Sequence, residues 1–171
     1  YPLDKVSLPE VPIDDFQDLP YRAKQLALYP KTSGRHKTVV KYGQWENAVS
    51  SYLASVSFVD ELVGDLVKAL EKRDLMENTW IVLWSDHGWH LGEKSHWGKA
   101  TGWYRSTRVP FLLVPPKGNT QFKRAVNVNN MVNLLDLAPT MSDIAGIPKK
   151  KSWEGRSLMP ILKQEVKVWN E

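Results

Sequence analysis

The stretch TWIVLWSDHGWHLGEKSHWGK, residues 79–99, decides the fold class. It opens with a short run of large and β-branched apolar residues, which is typical of a strand buried on both faces in the sheet of an α/β protein. Asp86, His87 and Gly88 follow that strand directly. Ligands bind just outside the carboxyl ends of strands in open α/β sheets, so this acid and imidazole could hold a metal ion. Taken alone, the tripeptide is better explained as a strand-end cap beside a packed histidine.

The loop after the strand is unusually rich in groups that bind anions. Three of the four histidines of the chain (His87, His90 and His96) lie within ten residues and are followed by Lys99. Such donors and cations suit a phosphate, sulfate or carboxylate. A zinc site built from the three histidines is the competing interpretation, but their spacing matches no compact zinc motif. His36 and Lys94 are expected to be ordinary surface residues.

The flanking sequence predicts helices and one more strand. Apolar residues recur at three- and four-residue steps over residues 44–71, which is typical of a long amphipathic helix covering the sheet. Residues 109–114, VPFLLV, predict a second strand of that sheet. Helices are predicted at residues 129–145, with a break near Asp136, and at residues 157–163. Residues 1–34 hold five of the eleven prolines. They predict an extended surface arm, with one helical turn at residues 22–28.

Composition excludes several classes of protein. The 171 residues are the size of one domain, and the net charge of +4 is spread along the chain, so no nucleic-acid partner is expected. The absence of cysteine excludes a disulfide framework and thiol catalysis. No run approaches the ~18 apolar residues of a membrane span, so no membrane partner is expected either. The oligomeric state stays open.

The composite motif IVLWSDHGWHLGEKSHWGK, followed by STRVPFLLVPP, resembles the type I sulfatases, and among them the iduronate-2-sulfatase and choline-sulfatase-like branch. The resemblance extends over nearly the whole chain, from YPLDKVSLPEVPIDDFQDLP at its start to NLLDLAPTMSDIAGI and GRSLMPIL near its end. It implies an α/β fold, namely part of the alkaline-phosphatase-like sulfatase fold, with helices packed on a mostly parallel sheet.

The resemblance also implies a chemistry. In this family a formylglycine hydrate attacks the sulfur of a sulfate ester while a divalent cation, usually Ca²⁺ with Mg²⁺ as the alternative, holds the sulfate. By motif match, Asp86 and His87 are metal ligands and Lys99 is the catalytic lysine that contacts the sulfate. Calcium prefers oxygen ligands, so most of the remaining ligands would have to be carboxylates.

The substrate implied is a sulfated sugar or small molecule, and the location implied is periplasmic, secreted or lysosome-like. Trp89, His90 and His96 are placed to reach such a substrate. For Trp89, packing under the loop is an equally good interpretation. Arg105 could steer an anion or pair with a nearby carboxylate.

The chain departs from the family pattern in its nucleophile. It has no cysteine, no serine followed by x-Pro-x-Arg, and no counterpart of the family's early Asp pair. We therefore expect a middle-to-late fragment of a single sulfatase catalytic domain, inactive alone, with a proline-rich arm at residues 1–43 and an α/β part at residues 44–171. Two alternatives remain: a phosphatase or phosphonate monoester hydrolase of the same superfamily, and a non-catalytic module that binds anionic glycans.

Overall fold

The computed structural model describes residues 1–165, apart from the side chains of residues 32–34. The chain divides into two compact units. The first comprises Tyr1–Asp74 and Leu83–Phe111, and the second comprises Leu75–Val82 and the chain from Leu112 onward. Within residues 1–165, no helix has both the length and the apolarity needed to cross a bilayer. That the chain belongs to one catalytic domain stays a prediction.

Three helices open the chain, and short strands and shorter helices follow them. In order, they are α1 (Tyr21–Ala27), α2 (Pro30–Lys41), α3 (Trp45–Glu71), β1 (Ile81–Trp84), β2 (His90–Leu91), β3 (Trp97–Gly98), α4 (Tyr104–Thr107), β4 (Phe111–Val114), α5 (Leu137–Ala145) and α6 (Met159–Leu162). The predicted helix at residues 44–71 is confirmed by α3. The prediction of an extended arm is wrong from residue 30 onward, because α2 begins there. Pro30 occupies the start of that helix, where its missing N–H costs no hydrogen bond.

The apolar stripe of α3 is buried at its first turns and open further along. Val49 is 2% exposed, whereas Val56, Val59 and Leu66 are 51%, 54% and 62% exposed. The stripe predicted to cover the sheet is therefore open to solvent along its middle turns.

The two predicted strands do belong to one sheet, which pairs β1 with β4. Their burial on both faces is wrong, since Leu83, Trp84 and Leu112 are 38%, 48% and 47% exposed. That the sheet is mostly parallel stays a prediction. A second sheet was not predicted: β2 and β3 pair antiparallel, with His90 opposite Gly98. This short ladder closes the loop that carries the candidate site.

A buried carboxylate organises the second unit. Asp136 is 6% exposed. It accepts hydrogen bonds from the backbone N–H groups of Asn133 (2.9 Å) and Arg156 (2.8 Å). The Thr140 hydroxyl donates to the Asp136 carbonyl at 2.5 Å and accepts from the Leu158 N–H at 2.9 Å. These bonds hold the chain around α6 against α5, because buried polar groups are stable only when they are paired.

Gly155 should tolerate no side chain. An ideal Cβ at this position would lie 2.0 Å from the carbonyl oxygen of Leu135, and backbone atoms cannot swing away. We expect Gly155→Ala to lower the free energy of unfolding, measured by urea denaturation, by about 1–3 kcal/mol.

Gly64→Ala is the matched control, because nothing lies within 4 Å of the Cβ that it would add within α3. It should raise the free energy of unfolding by about 0.5–1 kcal/mol, since alanine is the better helix former. Equal effects of the two substitutions would contradict the close packing at Gly155.

Candidate functional site

The turn after β1 is held against α4 by a close backbone approach. The Gly88 N–H donates to the Ser106 carbonyl at 2.8 Å. A Cβ on Gly88 would lie 2.0 Å from the Arg105 carbonyl oxygen, so only glycine fits. Ser85 completes the turn by donating its hydroxyl to the His87 carbonyl at 2.8 Å. The positions of Asp86 and His87 therefore follow from the backbone of this turn.

The tautomer of His87 follows from its neighbours. Its Nδ1 lies 2.9 Å from the Gly88 carbonyl oxygen, which can only accept a hydrogen bond. Nδ1 therefore carries the proton, and Nε2 presents its lone pair. Asp86 Oδ2 lies 3.5 Å from Nε2, and the Lys99 ammonium lies 2.6 Å from it. The structure thus brings two of the predicted site residues, Asp86 and Lys99, next to a ring nitrogen of a third, His87.

The atoms around His87 Nε2 suit a divalent metal ion as well as the Lys99 ammonium. A carboxylate oxygen and a neutral imidazole nitrogen are both donor types that divalent metals accept. The Asp86 side chain is 81% exposed and the His87 side chain 29%, so both are accessible from solvent. Among residues 1–165, no group of three or more His, Cys, Asp or Glu side chains is arranged to hold a metal ion. Asp86 and His87 therefore offer two donor atoms, and a complete coordination shell needs others.

The loop that delivers Lys99 contains unusual backbone angles. Gly92 and Gly98 have φ values of 136° and 107°. Lys94, Ser95 and Ala100 also have positive φ values, of 55°, 47° and 72°. Each non-glycine residue in this region costs on the order of 1 kcal/mol and persists only where its surroundings fix it. Side chains around the loop provide that constraint.

An ion pair anchors the loop to the N-terminal segment. Asp15 accepts hydrogen bonds from the Lys94 N–H and ammonium, each at 2.7 Å, and the ammonium also contacts the Asp15 carbonyl. The Lys94 side chain is only 21% exposed. The expectation of a solvated surface lysine is therefore wrong, because Lys94 ties the arm to the site loop.

The structure places His90 and His96 inside the loop. His90 is 0% exposed, and its ring nitrogens lie 3.0 Å from the Glu93 carbonyl and 3.1 Å from the Thr101 hydroxyl. His96 is 3% exposed, and its Nε2 lies 2.5 Å from the Lys99 carbonyl. The structure does not bring these two rings to the surface beside His87. Their contact with a substrate stays a prediction.

Trp89 packs and also borders the site. Its ring stacks on Tyr52 with 6.3 Å between ring centroids, and it lies the same distance from the His87 ring. The side chain is half-buried, and within residues 1–165 its Nε1 finds no hydrogen-bond partner. Both interpretations of this residue, packing under the loop and contact with a substrate, are compatible with that position.

Several supporting residues were not predicted from the sequence. Glu93 accepts from the Leu91 N–H at 2.8 Å and pairs with the Arg105 guanidinium at 3.0 Å, which confirms the carboxylate pairing considered for Arg105. Trp45 donates to the Leu91 carbonyl at 2.6 Å. His36 packs edge-on against Trp45 and is 9% exposed, so its expected surface position is wrong. No local sequence signal links Trp45 or His36 to a loop about 50 positions later.

Burial lowers the pKa of His36, and the nearby His96 ring lowers it further while the Glu93 carboxylate opposes the shift. Burial also lowers the pKa of His90, against the opposing effect of its hydrogen bond to the Glu93 carbonyl. Both histidines are therefore neutral in the folded chain at neutral pH.

These features place the chain among α/β proteins that carry a site at the end of a strand. Comparison with protein families gives the more precise identification. The Sulfatase family model matches residues 15–147. The chain belongs to the sulfatase family.

Individual relatives agree with this assignment. The chain is 30% identical over 96% of its length to a sulfatase of Formosa agariphila. It is 34% identical over 57% of its length to iduronate 2-sulfatase of Mus musculus and 35% identical over 66% to choline-sulfatase of Rhizobium meliloti. The predicted resemblance to that branch is confirmed. The chain spans 31%, 22% and 22% of the lengths of these three relatives.

Solved structures confirm the predicted fold class. The chain is similar to a phosphonate monoester hydrolase from Silicibacter pomeroyi, with a TM-score of 0.75 and 25% identity over 99% of this chain and 34% of the other. It is also similar to an enzyme solved in complex with its substrate D-glucosamine-2-N,6-O-disulfate, with a TM-score of 0.62 and 29% identity over 91% of this chain and 33% of the other. The chain thus has part of the alkaline-phosphatase-like fold.

Acid should destabilise the chain through its buried histidines. Because the pKa of His36 is lower in the folded chain than its ordinary 6.5, the unfolded chain binds more protons below that pH. Stability is therefore complete above about pH 6.5 and falls as the pH drops below it, by at most about 1.4 kcal/mol per pH unit for each such group.

The measurement is urea denaturation at pH 7.5 and 5.5. We expect His36→Gln to lose less stability between these two pH values than the wild type, because one buried group no longer titrates. An identical loss in both proteins would show that His36 does not contribute to the acid sensitivity.

Proposed function

We propose that this chain carries the late metal ligands and the sulfate-contacting lysine of a sulfuric ester hydrolase, a sulfatase acting on a sulfated carbohydrate. One observation carries the proposal. In a chain of the sulfatase family, Asp86 and Lys99 both lie within 3.5 Å of His87 Nε2. Thirteen positions separate the carboxylate from the lysine, so the loop must fold back to bring them together.

Asp86 and His87 would hold the divalent cation. The carboxylate supplies charge, and the Nδ1–H bond to the Gly88 carbonyl leaves Nε2 unprotonated for ligation. A bound Ca²⁺ or Mg²⁺ would polarise the sulfate oxygens. The close approach of Gly88 to Arg105 keeps the two ligands at the strand end, so the protein does not need to order them when the ion binds.

Lys99 would bind the sulfate group directly. His87 Nε2 has one lone pair, so a cation bound there would replace the ammonium that now lies 2.6 Å away. All three N–H donors of Lys99 would then be available for the oxygens of an anion. The charge on the ester oxygen grows as the S–O bond breaks, so the ammonium stabilises the transition state more than the bound ester.

The nucleophile would come from sequence outside these residues. Formylglycine forms from Cys or Ser in a C/S-x-P-x-R motif, and this sequence contains no such motif. The 171 residues would then supply half of an active site and would be inactive alone. The proposal places the complete protein in a periplasmic, secreted or lysosome-like compartment, as the family resemblance implies.

A sulfated sugar is the substrate class that the site favours. Trp89 lies beside His87, and the face of an indole ring is a suitable surface for the apolar side of a pyranose. The similar enzyme solved with a glucosamine disulfate supports the same class.

The second candidate is a phosphonate monoester hydrolase. The similarity to such an enzyme over 99% of this chain favours it. The two activities are distinguished by measuring kcat/KM of the full-length protein with matched aryl sulfate and aryl phosphonate esters. A higher kcat/KM for the sulfate ester supports the first proposal, and the reverse order supports the second.

Loss of Lys99 should slow turnover. We expect Lys99→Ala in the full-length protein to lower kcat by ~10²–10³, because it removes a preorganised donor to a developing charge. KM should rise as well. Steady-state kinetics with a sulfated glucosamine would measure both.

Lys37→Ala is the matched control, since Lys37 is exposed on α2. It should stay near the wild-type rate. Lys94 is unsuitable as a control because it pairs with Asp15. Equally small effects at Lys37 and Lys99 would refute the role of Lys99.

Loss of the Asp86 charge should release the metal. We expect Asp86→Asn in the full-length protein to lower both its content of divalent cation and its turnover, measured by elemental analysis and kinetics on the same folded sample. Asp65→Asn serves as the control, because the Asp65 carboxylate makes only an exposed pair with Lys68 on α3. A folded Asp86→Asn protein with normal metal content would exclude Asp86 as a ligand.

A further inference from the structure

The peptide of Lys99 lies between two residues with positive φ, Gly98 at 107° and Ala100 at 72°. β3 ends at Gly98, so no strand ladder continues through Lys99. The carbonyl of Lys99 instead accepts a hydrogen bond from His96 Nε2 at 2.5 Å. One side chain thus anchors the backbone that carries the proposed sulfate-binding ammonium.

The ring of His96 is arranged for this single bond. A carbonyl oxygen only accepts a hydrogen bond, so Nε2 of His96 carries a proton. Nδ1 is buried and has no hydrogen-bond partner among the residues that the structure describes. Leaving a buried polar atom unpaired is unfavourable, and such atoms are uncommon in native interiors. An apolar side chain would fill this volume without that cost, so packing alone does not explain a histidine here.

A second histidine helps to keep the His96 ring in place. The His90 ring meets it edge to face, with 5.1 Å between centroids. His90 is fixed in turn by the Glu93 carbonyl and the Thr101 hydroxyl. The ring that holds Lys99 is therefore supported by a second ring whose two nitrogens are both paired.

We propose that His96 is a positioning residue: its Nε2–H fixes the Lys99 carbonyl, and this directs the Lys99 ammonium toward His87 and the bound anion. The inference rests on the proposed role of Lys99 for its effect on turnover. The positioning itself is a statement about this loop and is tested separately. His96 acts through Lys99 and does not touch the substrate.

The variants separate the hydrogen bond from the volume of the ring. The amide nitrogen of Gln reaches about as far as Nε2, whereas that of Asn corresponds to Nδ1 and falls short of the Lys99 carbonyl. We expect His96→Leu and His96→Asn in the full-length protein to lower kcat by roughly 10- to 100-fold. His96→Gln should restore most of the rate. KM should change less than kcat.

A double-mutant cycle tests whether the effect passes through Lys99. If it does, His96→Leu should change kcat little in a Lys99→Ala background. Thr140→Val is the control, because it also removes buried side-chain hydrogen bonds, to the Asp136 carbonyl and from the Leu158 N–H in the second unit. Its effect on kcat should add to that of Lys99→Ala.

A second readout does not depend on turnover. Nuclear Overhauser contacts between the Lys99 ε-methylene and the His87 ring should be present in the wild type and in His96→Gln, and lost in His96→Leu. If Lys99→Ala leaves turnover unchanged, the proposed function of Lys99 fails and these contacts alone decide the inference. It is overturned if His96→Leu keeps the contacts, if Gln behaves like Leu, or if the cycle is additive.

Discussion

The approach of the Gly88 backbone to the Arg105 and Ser106 carbonyls is the constraint on which the site depends. No side chain can occupy that space, and the Gly88 N–H needs the Ser106 oxygen once it is buried. The turn after β1 is thereby fixed against α4. Because the same turn sets the tautomer of His87 through the Gly88 carbonyl, the backbone determines which ring nitrogen is available for chemistry.

The irregular backbone of the site loop needs hydrogen-bond partners other than those that helices and strands provide. Five of residues 92–100 have positive φ values, so regular ladders can pair few of the polar backbone groups of this loop. Side chains form hydrogen bonds with these backbone groups instead. Glu93, His90, His96 and Asp15 each bond to backbone groups within residues 91–99, and three of these four lie within residues 90–96. The clustering of histidines thus serves the loop's own structure as well as the candidate site.

The most reliable predictions from the sequence were those of single helices and strands, whose signals come from neighbouring residues. The apolar periodicity gave α3, and the apolar runs located β1 and β4, because each signal lies within its own element. The spacing of Asp86, His87 and Lys99 carried the family motif. Contacts between distant residues were not predictable. Nothing local connects Trp45 with the Leu91 carbonyl or Asp15 with Lys94, so the buried position of His36 and the ion pair of Lys94 were missed. The start of α2 was missed for another reason: proline disrupts the interior of a helix but is tolerated in its first turn, where Pro30 lies.

The ion pair between Asp15 and Lys94 has a consequence for synthesis of the protein. The two residues are 79 positions apart. At about 5–20 residues per second, Lys94 leaves the ribosome about 4–16 s after Asp15. The helices α1 to α3, whose hydrogen bonds are local, have time to form in that interval. The Asp15–Lys94 pair therefore forms only after α1 to α3 have been synthesised, so the N-terminal arm closes onto the loop late.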